Sequence, residues 1–399
     1  MTAVPGHQTL LRFDRAELAG AFADLGVFVP IAVGLVVQNG LSATAVLVPA
    51  GLLYVVVGLV FRLPVPVQPL KAFGAIALAQ GLGPPVVAAG ALLMGALFLL
   101  LGATGLVDRA ARLFPRALVR GIQLSVGLIF GRLALDLVTR PPASFADRGL
   151  STTTLAIATI ATTVLLVVLR RRSGTLLLVA IAAAVMVARH EGPWQLGPAP
   201  ITLGLPDGAA FASAAVALVL PQLPLTFANS CVATADVARR YFGAAGARVT
   251  PGRLSMSLGA ANTVVGLLAG MPVCHGAGGM TAHRSFGART GGAPVVIGSL
   301  LVALGLLGGA SVAALFAAFP LPALAALLLV AGWLHVLLLR DLRGWPEWSV
   351  AVVVGLVGLL VNLAVALAVG ALLWLVVRRW QPSGGIALGT EGSRIPPPR

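Results

Sequence analysis

Pro64-Val65-Pro66-Val67-Gln68-Pro69-Leu70-Lys71 interrupts an otherwise apolar chain and carries its only lysine. Three prolines within six residues stop a continuous helix, because proline lacks the N–H donor and clashes with the preceding turn. From Leu70 onward the sequence Leu-Lys-Ala-Phe-Gly-Ala-Ile-Ala-Leu-Ala is helix-forming again. The stretch therefore predicts a half-helix that begins at membrane depth, with free N–H groups and one ammonium directed into a cavity. Such a terminus attracts anions. In transporters, discontinuous helices of this kind mark the substrate site.

A second stretch of the same type is Gly270-Met271-Pro272-Val273-Cys274-His275-Gly276-Ala277-Gly278-Gly279-Met280. Pro272 breaks the helix, and the glycines leave backbone N–H groups open to a ligand, as in other anion-cradling turns. The rest of the chain is apolar enough to surround both stretches with lipid-spanning helices. Of 399 residues, 58% are hydrophobic and 10% charged, and the mean hydropathy is +1.00. Soluble domains carry about 25% charged residues, so this is an all-α polytopic membrane protein. With about 20 apolar residues per span, spans are expected at 19–38, 43–61, 85–106, 116–138, 151–169, 174–189, 210–237, 252–270, 292–310 and 321–339. The interrupted segments add 67–82 and 272–284, and the long run 348–378, with Asn362 near its middle, adds two short helices.

That makes about fourteen spans, arranged as a seven-plus-seven inverted repeat, because the broken helices stand third in each half and seven is odd. The expected divisions are a cytoplasmic N-terminus (1–18), a first repeat (19–190), an extracellular linker (191–209), a second repeat (210–380) and a disordered cytoplasmic tail (381–399). The formal net charge of +15 does not point to nucleic acid, because the arginines cluster between apolar runs. Arg12, Arg15, Arg62, the group from Arg109 to Arg120, Arg170 to Arg172, Arg239 to Arg253, Arg284, Arg289, Arg340, Arg343, Arg378 and Arg379 share one side. Only Arg140, Arg148 and Arg189 fall on the other. This is the positive-inside pattern, with both termini cytoplasmic in a cell inner membrane.

A charged group at the bilayer centre costs about 2.5–3.5 kcal/mol on insertion scales, so each one retained there needs a function or a partner. Lys71 is the first such group and Asp24, in the first span beside Gly26, is the second. Gln68, Gln222, Thr226, Asn229 and Ser230 offer neutral polar contacts, the last four on roughly one helix face. His275, Gly276, Ala277 and Gly278 complete the candidate substrate-binding set, whereas His283 with Arg284 is expected to face the cytoplasm. Arg132 and Asp136, four apart, are expected to pair within one helix. Two half-helix N-termini contribute about half a charge each, and with Lys71 they total about +2, a match for a tetrahedral dianion. An ionised Asp24 would cancel part of this, so Asp24 is expected to be protonated when the anion binds, which makes it the proton-coupling residue.

The motifs Asp24-Leu-Gly-Val-Phe-Val-Pro30, Pro66-Val-Gln-Pro-Leu-Lys-Ala72, Gln222-Leu-Pro-Leu-Thr-Phe-Ala-Asn-Ser230, Met271-Pro-Val-Cys-His-Gly-Ala-Gly-Gly-Met280 and His283-Arg-Ser-Phe-Gly-Ala288 resemble those of the sulfate/molybdate transporter family of bacteria and plants. The resemblance covers roughly residues 15–380 and extends distantly to SulP permeases and nucleobase permeases. It implies import of molybdate or sulfate by a core domain (spans 1–4 and 8–11) moving against a gate domain (spans 5–7 and 12–14). The expected partners are molybdate or sulfate, protons as coupling ion, and the lipid bilayer, with a homodimer as the assembly considered; no cofactor or metal is expected. Three other readings compete. A nucleobase-type permease calls for aromatic stacking partners, yet aromatics are 6% of the chain. A passive anion channel needs no coupling group. A membrane enzyme calls for a motif such as H-E-x-x-H or G-x-S-x-G, and neither occurs.

Overall fold

The computed structural model describes residues 11–22, 25–107, 109, 115–168, 174–190 and 193–378. Within them the chain is almost wholly helical: α1 (Arg15–Ala21), α2 (Leu25–Val37), α3 (Ala43–Phe61), α4 (Lys71–Gln80), α5 (Pro84–Thr104), α6 (Arg116–Thr139), α7 (Thr152–Val168) and α8 (Gly174–Ala188). A long helix, α9, runs from 208 to 242 and alternates α turns with π turns at Ala215–Val219 and Thr226–Ala233. It is followed by α10 (Pro251–Leu267), α11 (Ala277–Phe286), α12 (Gly292–Leu307), α13 (Gly309–Ala317), α14 (Leu321–Leu337), α15 (Gly344–Leu360) and α16 (Leu363–Val377). Six helical stretches among the described residues are long and apolar enough to cross a membrane, and α12 with α13 makes a further pair bent by 98°.

The interrupted segments form the centre of the fold. After α3 the chain runs back into the protein as a buried extended stretch from Leu63 to Leu70 and enters α4 at Lys71. Residues 270–276 do the same before α11. Their middles, β1 (Gln68–Pro69) and β2 (Val273–Cys274), pair antiparallel, with Gln68 opposite Cys274 and Pro69 opposite Val273. The Leu70 N–H donates to the Pro272 carbonyl oxygen at 3.0 Å and extends the ladder. Non-helical backbone at membrane depth is stable only when protein surrounds it, and here every residue from Leu63 to Leu70 and from Gly270 to Gly276 is buried.

The helices gather into two bodies. In the first, α3 packs along α12 and α5 along α10. Both contacts are lined by glycines seven residues apart. A Cβ at Gly51 or Gly58 of α3 would stand 2.6 Å from the carbonyl oxygen of Gly298 or Gly291, and one at Gly95 of α5 would stand 2.5 Å from Thr263 Oγ1. In membranes, where apolar side chains gain little by leaving lipid, such close backbone approach drives association. In the second body, α6 packs on α14 and α15, and α14 on α7. The α6–α14 crossing has Gly127 facing Gly332, with a Cβ at either 2.7 Å from the other's carbonyl oxygen. The same number of residues separates Gln68 from Val273, Pro115 from Pro320, Gly127 from Gly332, and Phe130 from His335. Pro115 and Pro320 both stand immediately before their helices. The halves of the chain are thus structural repeats of opposite sense, joined at β1–β2.

Ion pairs hold the second body together. Arg116 bonds both carboxylate oxygens of Glu347 at 2.8 and 2.9 Å, and Arg120 Nε bonds Asp341 at 2.8 Å. At the other end Arg189 reaches Asp147 at 2.5 Å, and the second oxygen of Asp147 accepts the first amide of α14 at 3.0 Å. Arg132 and Asp136 pair at 3.9 Å within α6, as their spacing predicts.

Several sequence expectations need adjusting. The expected span 67–82 is helical only over 71–80, 272–284 only from Ala277 onward, and 210–237 continues to Phe242 through its π turns. Residues 348–378 do divide at Asn362, whose side chain accepts the Val365 amide at 2.8 Å and starts α16. Part of the segment read as an N-terminal extension belongs to the packed structure: Glu17, 1% exposed, accepts the amides of Arg289 and Thr290 at 2.7 Å and of Ala293 at 3.2 Å. The linker region is likewise pinned, with Gly197 bonded to Leu307 and Ala310, and the Ala199 amide to Thr44 Oγ1 at 2.7 Å. The tail beyond 378 lies outside the described residues.

Glu17→Ala strips acceptors from buried donors at the entry to α12. It is expected to lower stability by about 3 kcal/mol, with Glu17→Gln roughly halfway between. Thermal unfolding of the detergent-solubilised protein checks this, and equal midpoints for all three chains would contradict it.

Candidate functional site

The strand pair places the N-termini of α4 and α11 beside each other, each lacking a side-chain cap on its own cap residue, Leu70 or Gly276. Their first-turn amides are treated differently. At α4 the Phe73 N–H is taken by Gln222 Oε1 of α9 at 3.0 Å. The Gln222 Nε2 donates to Thr226 Oγ1 at 3.0 Å, and Thr226 in turn donates to the Gln222 carbonyl at 3.1 Å. Both residues are buried and spent on holding α4. At α11 the first amide with a partner within its own turn is Met280, bonded to the Gly276 carbonyl at 3.1 Å. Gly278 is exposed, and a Cβ there would meet nothing within 4 Å. The first turn of α11 therefore opens onto free space.

Lys71, half-buried at the first position of α4, donates to Gln68 Oε1 at 2.5 Å. Gly276 lies directly against that Gln68 oxygen, and a Cβ at Gly276 would also stand 3.5 Å from Asn229 Nδ2. Lys71, Gln68, Asn229 and the Gly276–Gly278 backbone are thus brought together. Asn229 sits in the second π turn of α9; π turns often occur where a helix must present a side chain to a site. Ser230, its neighbour, is buried.

His275 lies at the junction with both ring nitrogens engaged, Nδ1 with the Pro66 carbonyl at 2.8 Å and Nε2 with Ser257 Oγ at 3.1 Å. It ties the second half's broken stretch to the first's. His283, expected at the aqueous face, is instead fully buried, with Nδ1 donating to the Gly20 carbonyl at 2.7 Å. The short α11 ends inside the protein near α1. Asp24, the expected proton carrier, lies outside the described residues.

Two residues stand out here that the sequence reading passed over. Asn262 of α10 bonds both backbone groups of one residue of β2: its Nδ2 donates to the Val273 carbonyl at 2.8 Å and its Oδ1 accepts the Val273 amide at 2.9 Å. His335 of α14, in the second body, is buried. Its match with Phe130 across the repeat was the available signal. The two rings meet edge to face, 5.9 Å apart.

This arrangement brings one ammonium, two helix N-termini and two side-chain amides together beside the exposed Gly278. Together these are suited to an anion with several oxygen acceptors. No group of three or more His, Cys, Asp or Glu side chains that could hold a metal ion occurs among the described residues.

Fold and site together define a polytopic membrane transporter of the broken-helix type. A family profile described as "Molybdate transporter of MFS superfamily" matches residues 16–130 and 214–334, and the chain belongs to this family, one of transporters rather than enzymes. It is similar to Molybdate transporter 1 of Arabidopsis thaliana (28% identical, covering 97% of this chain and 92% of that one). It is also similar to Molybdate transporter 1 of Chlamydomonas reinhardtii (28% identical, covering 82% and 84%). Among solved structures it resembles the transmembrane domain of a cyanobacterium bicarbonate transporter, BicA (TM-score 0.60, 15% identical, covering 92% of this chain and 99% of that one). A second likeness is to the murine Solute Carrier 26 family member A9 anion transporter in its inward-facing state (TM-score 0.63, 15% identical, covering 93% and 69%). The superfamily in the profile's description is built from two parallel halves. The fold of this chain is instead like that of BicA and the murine transporter.

Proposed function

We propose that this protein imports a tetrahedral oxyanion, molybdate in the first instance, as a proton-coupled secondary transporter of the cytoplasmic membrane. The observation that carries the reading is the clustering of Lys71, Gln68 and Asn229 at the uncapped first turn of α11. The names of the plant and algal relatives support molybdate as the substrate. Lys71 and two helix N-termini supply about two positive charges, which favours a dianion over a monoanion or a neutral base. Gln222, Thr226, His275 and Asn262 hold the two helix ends in place, and Gln68 and Asn229 contact the anion.

Transport follows from the first body, which carries both broken helices, rocking against the second. The glycine-lined pairs of the first body and the ion pairs of the second let each move as a unit. The arginine-rich end faces the cytoplasm, so both termini are cytoplasmic, and the chain divides into repeats of about 19–190 and 210–380 joined by an external linker.

Uptake of labelled molybdate into proteoliposomes, with and without an inward proton gradient, tests the proposal. Uptake that rises with the gradient and is competed by tungstate supports it, and the stronger of unlabelled sulfate and molybdate as competitor identifies the substrate. Inhibition by uracil alone, with none by tungstate, overturns it.

A further inference from the structure

We infer that Arg284 of α11 is a second anion site, on the arginine-rich side of Lys71, to which a tetrahedral oxyanion passes when it leaves the first turn of that helix. The inference rests on the oxyanion reading above and adds a residue to the path of the anion.

The uncovered face of α11 sets the direction. The helix packs on α1 and on the end of α9. Gly278, Thr281 and Ser285 are exposed, and their spacing of three and four places them on one face, open from the first turn to the last. Arg284, half-buried, borders this face. It follows Ala277 by seven residues, about two turns or roughly 10 Å along the helix.

Arg284 is held by an aromatic ring and not by an acid. Its guanidinium carbon lies 4.3 Å from the centre of the Tyr241 ring, at the end of α9. Such stacking uses the flat face of the guanidinium and leaves its N–H edges, which chelate oxyanions, unspent. The ring is fixed in turn. Thr281 Oγ1 donates its one hydrogen to the Ala277 carbonyl at 2.9 Å, so the Tyr241 hydroxyl is the donor in its 3.2 Å bond to Thr281 Oγ1. One chain of contacts therefore runs from the first turn of α11 through Thr281 and Tyr241 to Arg284.

The carboxylates on the elements packed against α11 are spent elsewhere. Asp14 accepts the amides of Ala16 and Glu17 at 2.9 and 3.0 Å, and Glu17 accepts those of Arg289, Thr290 and Ala293. Asp236 pairs with Arg240 at 2.8 Å. Among the described residues no carboxylate stands within ion-pair distance of Arg284, and its Nε–H is buried without an acceptor. A charged donor left unsatisfied is costly. An oxyanion presents only acceptors and matches the guanidinium edge in a bidentate fashion. Arg289, whose Nη1 donates to the carbonyls of Arg284 and Ala288 at 2.6 and 2.9 Å, strengthens the positive field there. A dianion departing from Lys71 thus meets a second full positive charge two turns further on.

The test removes this charge and then restores it. Arg284→Cys is labelled in detergent with aminoethyl methanethiosulfonate, which adds a cation, or with sulfonatoethyl methanethiosulfonate, which adds an anion. The full chain is then reconstituted for uptake of labelled molybdate. Arg284→Ala, treated alike, accounts for the native Cys231 and Cys274, both buried, and each label's effect is read as the difference between the two variants. Both unlabelled variants are expected to take up molybdate about tenfold more slowly than the wild type. The aminoethyl label is expected to restore about half of the wild-type rate, as a point charge without the guanidinium fork, and the sulfonatoethyl label to lower the rate further. Tyr241→Leu is expected to be slower than Tyr241→Phe, which keeps the ring. Equal effects of the two labels, or a wild-type rate in either unlabelled Arg284 variant, overturns the inference and leaves the oxyanion reading standing. Absence of any oxyanion uptake by the wild type overturns both.

Discussion

Lys71→Ala is expected to reduce oxyanion uptake at least about 100-fold, with the protein still inserted and folded. Among the described residues the ammonium is the only full positive side-chain charge at the strand junction, and deleting one partner of a desolvated charge pair costs about 2–5 kcal/mol, of which about 2.8 kcal/mol accounts for the hundredfold. The loss has a second component, because the Nζ donates to Gln68 Oε1 at 2.5 Å and fixes the amide that lies against Gly276. Lys71→Arg restores the charge but not the point-like geometry, so an intermediate rate is expected. Initial rates in proteoliposomes, normalised to reconstituted protein, provide the measurement. Retention of more than a third of the wild-type rate by the alanine variant would place the anion elsewhere.

Gly276→Ala is expected to act almost as strongly, for a steric rather than an electrostatic reason. The new methyl group would stand 2.4 Å from the Gln68 oxygen, closer than the two atoms can approach, and in ordinary contact with Asn229. Relief requires Gln68 to swing away from Lys71, and the surrounding backbone is buried and paired on both sides, so it offers no room. A loss of about 30-fold or more in uptake is expected, with a small change in thermal stability. Gly252→Ala is the control: a Cβ there meets nothing within 4 Å, and uptake is expected to match the wild type. Equal rates for both variants would show that Gly276 does not shape the site.

The parts of the fold that depend on chain chemistry alone were readable in the sequence. Three closely spaced prolines before Lys71 and the Pro272 turn with its following glycines marked where helices break, and their place in each half implied repeats of opposite sense. Asn362 announced a new helix, because an asparagine in an apolar run needs backbone donors to satisfy, and it caps α16.

What remained hidden was partner choice over long separations. Gln222 and Thr226 have the composition of ligand residues, yet they cap α4. His275 looks like a ligand donor until the Pro66 carbonyl and Ser257 hydroxyl are found on its two nitrogens. Nothing in the sequence marks Glu17 or Asp147 as a cap, yet each closes the start of a helix far along the chain. The regular face pattern expected for Gln222 to Ser230 was distorted by the π turn at Thr226–Ala233, which composition does not announce. The interior helices are apolar on every side, so periodicity could not say which face meets a neighbour and which meets lipid.

The antiparallel pairing of Gln68–Pro69 with Val273–Cys274 has a consequence for how such a protein can arise. Each half contributes one strand and one helix end, so neither half owns a complete site. A chain of half this length could build one only by meeting a copy of itself inserted upside down, which requires a segment indifferent to its orientation. Fusion of two such segments removes the need for that encounter and frees the halves to diverge, one keeping a lysine at the junction and the other a glycine turn.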